Sequence, residues 1–404
     1  MGMKRFLALT AALLLTLGLT PIALANEEEA AAIPTQAQID WEVKAAAALT
    51  PGENLPVRSA ILMEQESGKV LYAQNEHEVL PPASVTKIMS LLLFMEAIDS
   101  GKMALEDTVT CSETAAAYGG SQIWLEPGEQ MSVDDLLKAT AISSANDATV
   151  CLAEHVSGSE TAFVTQMNQR AQELGMADTV FKCAAGLDNP GHVTSAHDVA
   201  IMSRELMKHP LITQYTTIWM DSLRGGETQL VNTNRMVRFY QGATGLKTGT
   251  TSGAGSCLSA TATREGLGLI AVVMGSPTSD QRFASARALL DWGFANFMLA
   301  PLRAPEAVLP MRVTGGTAPQ VELLCDPPVG VVIPRDKAGA VAQEVIIDES
   351  VAAPVEEGQQ LGKVVVIVDG EQVAQYPLLA AHAVDRITFF RALGMLCRRM
   401  LAVA

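Results

Sequence analysis

The sequence predicts an α+β fold in which a helical block interrupts a mainly antiparallel sheet, followed by a smaller all-β region. Three observations predict it. Strand-like patterns occupy residues 59–72 and return from about 213 to 275. Between them, residues from about 84 to 210 are dominated by helical periodicity. Beyond about 304 the texture changes to Val, Pro and Gly with short alternating runs.

Taken in order, the 404-residue chain starts with Met1-Gly2-Met3-Lys4-Arg5, an apolar run over 6–19, and Ala23-Leu24-Ala25. A basic start, apolar core and small-x-small site read as a secretory signal peptide over 1–25, not as structure. A Glu/Ala-rich lead-in covers 26–52. Residues 59–63 and 70–72 flank a turn at Glu66-Ser67-Gly68-Lys69 and predict a hairpin. Pro81-Pro82 precede the apolar run from Ser84 to Phe94, a buried helix bounded by proline. Ser132 with Asp134 and Asp135 predicts an N-cap with an acidic first turn, and a second helix starts near Asp147. Helices are expected over 160–174, 196–208 and 284–298. The stretch from Gly242 to Gly255 reads as one strand of a hairpin, with the apolar run 267–274 after it. The expected organisation is a catalytic domain over 53–303, a small β-sandwich over 304–381, and an amphipathic helix over 382–404.

The formal net charge is −16. Nucleic acid is a poor partner for so acidic a chain, because that affinity comes mainly from Lys and Arg contacts to phosphate. Apart from the N-terminal segment, no apolar stretch is long enough to span a bilayer. The six cysteines are widely spread without a Cys-x-x-Cys pair, which disfavours zinc and thioredoxin-type sites. Isolated cysteines in apolar surroundings, such as Cys151 and Cys257, are expected to be buried free thiols. Neither His-Glu-x-x-His nor Gly-x-Ser-x-Gly occurs, so metalloprotease and α/β-hydrolase readings lack support.

Three short strings carry the chemistry: Ser84-Val85-Thr86-Lys87, Ser144-Ala145-Asn146 and Lys247-Thr248-Gly249. Each alone is weak. In this order, at gaps of about 60 and 100 residues, they match the three-part site of penicillin-recognising serine acyl-transferases. Serine is a poor nucleophile until a base takes its proton. At i and i+3 on a helix, Lys87 shares a face with Ser84, but an ordinary lysine is charged at neutral pH. Its pKa must fall by roughly 3 units, through desolvation and a second cation, for which Lys247 is available. Ser144 and Asn146 fall on a turn between two helices and can project into a cleft; Ser144 as an N-cap is the plain structural alternative. Gly249 removes a side chain where a substrate backbone could pair with the strand. A phosphate-binding loop fails at this site, because Leu246 rather than glycine precedes Lys247.

On these motifs, and on Pro82-Ala83, Ile88-Met89, Val231-Asn232-Thr233-Asn234, Gly245-Leu246, Ala254-Gly255 and Arg282, the chain from about Ser59 onward resembles the D-alanyl-D-alanine carboxypeptidases, the low-molecular-mass penicillin-binding proteins. One departure stands at 183–184, where Cys183 and Ala184 replace an expected asparagine and proline. The resemblance implies a serine β-lactamase-like catalytic fold with its cleft between helices and sheet. It further implies that Lys87 deprotonates Ser84, which attacks the carbonyl between two terminal D-alanines of a peptidoglycan stem peptide. Ser144 then passes the proton to the leaving D-alanine, and water hydrolyses the ester. Asn146 is expected on the substrate amide, Lys247 as positive potential, and Thr248 on the terminal carboxylate with Arg282 assisting. The N–H groups of Ser84 and Thr250 are expected to form the oxyanion hole. No metal or organic cofactor is expected, and β-lactams are expected as covalent inhibitors.

Three rivals follow from the same residues. A class A β-lactamase needs a glutamate in a Glu-x-x-x-Asn arrangement; Glu173 is followed four residues later by Ala177, and no other glutamate of the helical block fits. A transpeptidase uses the same set, and a non-catalytic β-lactam sensor is disfavoured by the intact acid–base groups. At the far end, Arg386, Arg391, Arg398 and Arg399 share a helical wheel with Ile387, Phe389, Phe390, Leu393, Leu396, Met400 and Leu401. A basic amphipathic helix reads as an interfacial anchor. The expected location is therefore peripheral, on the outer face of the cytoplasmic membrane.

Overall fold

The computed structural model describes residues 55–305 and 308–394, all within one unit spanning Thr50–Ala404. The expected signal peptide and lead-in lie outside the described residues, as do residues 395–404 of the expected C-terminal helix; that helix starts only at Phe389, not at 382, because Val384 and Arg386 pair with Val355 and Gly316.

Strand β1 (Ser59–Glu64) pairs antiparallel with β2 (Val70–Gln74), closing the hairpin expected from the Ser67-Gly68 turn. The chain then enters helix α1 (Lys87–Asp99) through a single tight turn at Ala83–Thr86. This helix is apolar almost all round, and Ile88, Met89, Leu91, Leu92, Phe94 and Met95 are all buried. Such a helix is stable only as the centre of a helical layer. Each of its larger side chains contributes about 1.5–3 kcal/mol by burial.

The helical layer is completed by α2 (Val133–Lys138), α3 (Asn146–Ser157), α4 (Glu160–Glu173) and α5 (Ala196–Leu206); the last three pack on α1, and α2 packs on α3. Three of these begin on serine caps: the hydroxyls of Ser132, Ser159 and Ser195 accept from the N–H groups of Asp135, Ala162 and Asp198. Helix α2 passes into one wide π-helical turn, Ala139–Ser143, which ends at Ser144 in the left-handed region (φ 64°). Helix α3 then starts at Asn146 with no side-chain cap, so Ser144 is not its N-cap.

The first, larger part of the chain closes with β3 (Ala243–Thr251), β4 (Gly255–Arg264), β5 (Leu267–Ser276) and helix α6 (Ser279–Asn296). Sheet order is β2-β1-β5-β4-β3, antiparallel throughout. The partner of β3 is thus β4, and the apolar run expected to follow it directly is the third strand. That run is buried along nearly its whole length because α5 and α6 both pack on it. Helix α6 starts five residues earlier than the periodicity indicated, since Thr278 Oγ1 caps Gln281 N.

The β-rich region begins at Phe297: strand Phe297–Pro301 pairs antiparallel with Gly330–Pro334, ahead of the boundary expected at 304. Its remaining strands form one three-stranded and one four-stranded sheet. Met311, Val313 and Val321 of the first share a buried cluster with Leu361 and Ala380 of the second, a small sandwich core. Among the described residues, five cysteines are free thiols; Cys111, Cys151, Cys183 and Cys257 are buried and Cys325 is half-buried.

Candidate active site

The edge strand β3 lies against the turn Ala83–Thr86, and this contact builds the site. Within the run from Pro82 to Ser90 only Ser84 is not fully buried. Lys87, one turn on, is completely buried. Its Nζ lies 3.1 Å from Ser84 Oγ, 2.6 Å from Asn146 Oδ1 and 2.7 Å from the carbonyl oxygen of Ala185. Burial draws the Lys87 amine down to about 7, although Cys183 and Asp147 pull weakly the other way. Near neutral pH a large neutral fraction therefore sits within hydrogen-bond distance of the hydroxyl it would deprotonate.

Asn146 occupies a different place from the one expected. Its Oδ1 accepts from Lys87, and its Nδ2 donates to the carbonyl oxygen of Gly119 at 2.6 Å, so both ends of the amide are engaged by the protein. It orients the amine, a role beyond the expected contact with a substrate amide, and Nδ2 keeps a second N–H. Ser144, two residues earlier, is the opposite case. It is 4% exposed, and its Oγ has no hydrogen-bond partner among the described residues. A buried orphan hydroxyl carries a free-energy cost, and active sites are where such costs are tolerated.

Lys247 is buried, with Nζ donating to the carbonyl oxygen of Thr248 at 3.0 Å. Burial, with the neighbouring charges of Lys87 and Arg282, pushes Lys247 well below the ordinary lysine range. Burial is the largest cause at both amines, and the repulsion between Lys87 and Lys247 disfavours their being charged together. Thr248 Oγ1 donates to Thr233 Oγ1 at 2.7 Å, and Thr233 N donates to the carbonyl oxygen of Ile142 at 3.1 Å, joining the strand to the second motif's turn.

Gly249 has a specific steric reason. A Cβ there would stand 2.9 Å from both Ser84 N and Val85 N. The space is filled by the nucleophile's own turn, not held open for a substrate strand alone. Thr250 beside it is exposed. Arg282, from α6, is 5% exposed; its Nη1 donates to the Gly249 carbonyl, Thr250 Oγ1 and the Cys257 carbonyl at 3.1–3.2 Å, and its Nη2 to Ser279 Oγ at 3.0 Å. Burial lowers its pKa to about 10. This guanidinium fastens β3 and β4 to α6 and is not an open carboxylate grip.

Several contributors left little trace in the sequence. The loop from Cys183 to Asp188 supplies the Ala185 carbonyl to Lys87, and its Asp188 carboxylate accepts from Thr251 Oγ1 at 2.7 Å and Gly253 N at 3.3 Å. It therefore bridges the base and the tip of the β3–β4 hairpin. A backbone carbonyl has no side-chain signal, and an aspartate in a Gly/Asn/Pro loop reads as a turn residue. Asp147, next to Asn146, is fully buried, and its carboxylate accepts from Ile123 N and Leu125 N at 3.1–3.2 Å, holding that segment beside the second motif.

Comparison with known proteins agrees with this geometry. A family model described as D-alanyl-D-alanine carboxypeptidase matches residues 44–278, and one described as the C-terminal domain of penicillin-binding protein 5 matches 300–386. The chain is 43% identical over 337 residues to the D-alanyl-D-alanine carboxypeptidase DacF of Bacillus subtilis, covering 82% of this chain and 87% of that one. It superposes on penicillin binding protein 5 from Haemophilus influenzae with a TM-score of 0.74 at 33% identity, covering 84% of this chain and all of the other. Penicillin-binding protein D2 from Listeria monocytogenes, solved in a cefotaxime-bound form, gives 0.56 at 32% identity over 61% of this chain and all of that one. The chain belongs to the D-alanyl-D-alanine carboxypeptidase family of penicillin-binding serine peptidases.

Proposed function

We propose that the chain removes the terminal D-alanine from peptidoglycan stem pentapeptides through an ester on Ser84, and that β-lactams acylate the same oxygen. The observation that carries this reading is a half-exposed serine hydroxyl 3.1 Å from a fully buried lysine whose pKa lies near 7. Neutral Lys87 takes the Ser84 proton as Oγ attacks the carbonyl of the penultimate D-alanine. The N–H groups of Ser84 and Thr250 receive the developing oxyanion, each such donor being worth about 3–4 kcal/mol. The C–N bond then breaks as the unpartnered Ser144 hydroxyl relays a proton to the departing amine. Water, deprotonated by the same base, cleaves the ester and returns Ser84. Lys247 and Thr248 meet the substrate's terminal carboxylate. An arriving carboxylate favours the ammonium form of Lys247, reversing the disadvantage it has in the empty cleft.

The names of the relatives support a carboxypeptidase over a transpeptidase. The test is product analysis with a D-Ala-D-Ala peptide in the presence of an amine acceptor. Free D-alanine together with the shortened peptide supports hydrolysis; acceptor-linked peptide as the main product replaces it with transpeptidation.

The proposed location is outside the cytoplasmic membrane, held peripherally by the C-terminal helix. Near the end of the described residues Phe389 and Phe390 are 75% and 82% exposed, and Leu393 is 46% exposed. Arg391 lies beside them on the same segment. Exposed aromatic and aliphatic side chains with arginine suit a lipid interface. Among the described residues no helix is long and apolar enough to cross a membrane.

A further inference from the structure

A chain of hydrogen bonds that starts outside the three motifs, at His192, passes through Thr86 and ends on the peptide unit of the nucleophile. The backbone N–H of Lys182 donates to His192 Nδ1 at 2.8 Å. That nitrogen must therefore be bare, which puts the ring proton on Nε2. Nε2 lies 2.8 Å from Thr86 Oγ1 and donates to it, and Thr86 Oγ1 in turn donates to the carbonyl oxygen of Ala83 at 2.8 Å. Thr86 is fully buried and His192 is 3% exposed; burial also holds the imidazole neutral, with a pKa near 4. Every link is thus a fixed donor–acceptor pair, and the two on Thr86 Oγ1 are buried.

The Ala83–Ser84 peptide is trans, so its C=O and N–H point in opposite directions in one plane. Pinning the Ala83 oxygen therefore aims the Ser84 N–H. Two glycines bracket this unit. A Cβ on Gly186 would stand 2.0 Å from the Ala83 oxygen, and a Cβ on Gly249 would stand 2.9 Å from Ser84 N. One glycine lets the Cys183–Asp188 loop close over the carbonyl end; the other lets strand β3 approach the N–H end without a side chain between them. Ala83 itself is left-handed at φ 49°, a conformation an alanine adopts only under external constraint.

We infer that His192 and Thr86 are positioning residues whose hydrogen-bond chain holds the Ala83 carbonyl and thereby directs the Ser84 N–H as an oxyanion donor. This rests on the reading of Ser84 N–H as part of the oxyanion hole. Donation into the carbonyl also polarises the peptide and strengthens the N–H at its other end. Neither residue touches substrate or base, so their loss slows the chemical step without changing how ligand is first held or how Lys87 titrates.

The experiment measures acylation of the full chain by a fluorescent penicillin in stopped flow, separating the dissociation constant of the first complex from the acylation rate constant. The variants are Thr86→Val, which keeps volume and removes the hydroxyl, and His192→Phe, which keeps a ring and removes its nitrogens. Thr86→Ser and His192→Gln are the conservative partners. Wild type is labelled at Ser84. The Val and Phe variants are expected to acylate about 10- to 100-fold more slowly, a part of what loss of an oxyanion donor costs, with unchanged first-complex affinity and unchanged acidic limb near pH 7. The Ser and Gln variants should recover most of the rate. Wild-type rates in a folded Thr86→Val or His192→Phe protein overturn the inference, as does a loss confined to affinity or to a moved pH limb. A wild type that takes no label at Ser84 removes the underlying reading as well, and so is distinguishable.

Discussion

Asn146 Oδ1 accepts a 2.6 Å hydrogen bond from Lys87 Nζ, so a residue of the second motif orients the amine of the first. The contact predicts the effect of a single-atom change. Asn146→Asp puts a carboxylate on the buried amine, and an opposite charge at hydrogen-bond distance favours the ammonium. The pKa of Lys87 rises from about 7, and the acidic limb of acylation moves to higher pH by one unit or more. At pH 7 the variant is at least about fivefold slower, and it recovers as pH is raised. A pH–rate profile checks this; a limb that stays near 7 shows that Asn146 has no hold on the base.

Binding should be coupled to proton uptake. In the empty cleft burial and two neighbouring cations disfavour the charged form of Lys247. A ligand carboxylate favours it, so near neutral pH an unreactive Ser84→Ala protein should take up protons on binding a D-Ala-D-Ala peptide. Titration calorimetry in buffers of different ionisation enthalpy reads this directly. Uptake should vanish in Lys247→Met and with a peptide amide; equal uptake with the amide ligand would mean that Lys247 does not meet the carboxylate.

Arg282 should behave as a fastening of the sheet. It donates from one nitrogen to two carbonyls and a threonine hydroxyl across β3 and β4. Lysine cannot reproduce this fork. Arg282→Lys is expected to cost about 2–4 kcal/mol of stability, in the range for disrupting a buried charged hydrogen-bond network. It should lower kcat more than it raises KM. Thermal unfolding and steady-state kinetics separate this from a direct carboxylate grip, which would appear mainly in KM.

How much of this was legible in the sequence follows from the range of each interaction. Ser84 and Lys87 are one turn apart, so their meeting is dictated by helix geometry and could be read from four residues. The caps at Ser132 and Thr278 differ instructively: the first was visible because acidic residues follow it, while Thr278 was obscured by its own neighbours Ser276 and Ser279. The order of strands was not legible, because the run 267–274 is apolar on both faces and carries no alternation to mark it as an inner strand. The role of Asn146 depends on contacts with Lys87 and with a backbone carbonyl at Gly119, and neither leaves a local pattern. The same holds for the carbonyl of Ala185 and for His192, which chain separation hides from any motif.

Deletion of residues 389–404 tests the proposed anchor and leaves Val384, buried in the sandwich core, in place. Four arginines near anionic lipid contribute about 1 kcal/mol each, alongside insertion of the exposed Phe389 and Phe390. The truncated enzyme should leave membranes or anionic vesicles, while full-length chain is partly released by salt. Activity on a small D-Ala-D-Ala peptide should be retained, since all three motifs lie before residue 250. Continued membrane binding after truncation assigns attachment to another part of the chain.

The most direct measurement is intact-mass analysis after penicillin treatment, with the adduct located by peptide mapping. The account predicts one penicilloyl group per chain, on the peptide containing Ser84. It also predicts none on Ser84→Ala, and strong suppression in Lys87→Ala at every pH because the base is absent. Labelling that persists in Ser84→Ala, or an adduct on any other residue of the wild type, would contradict it.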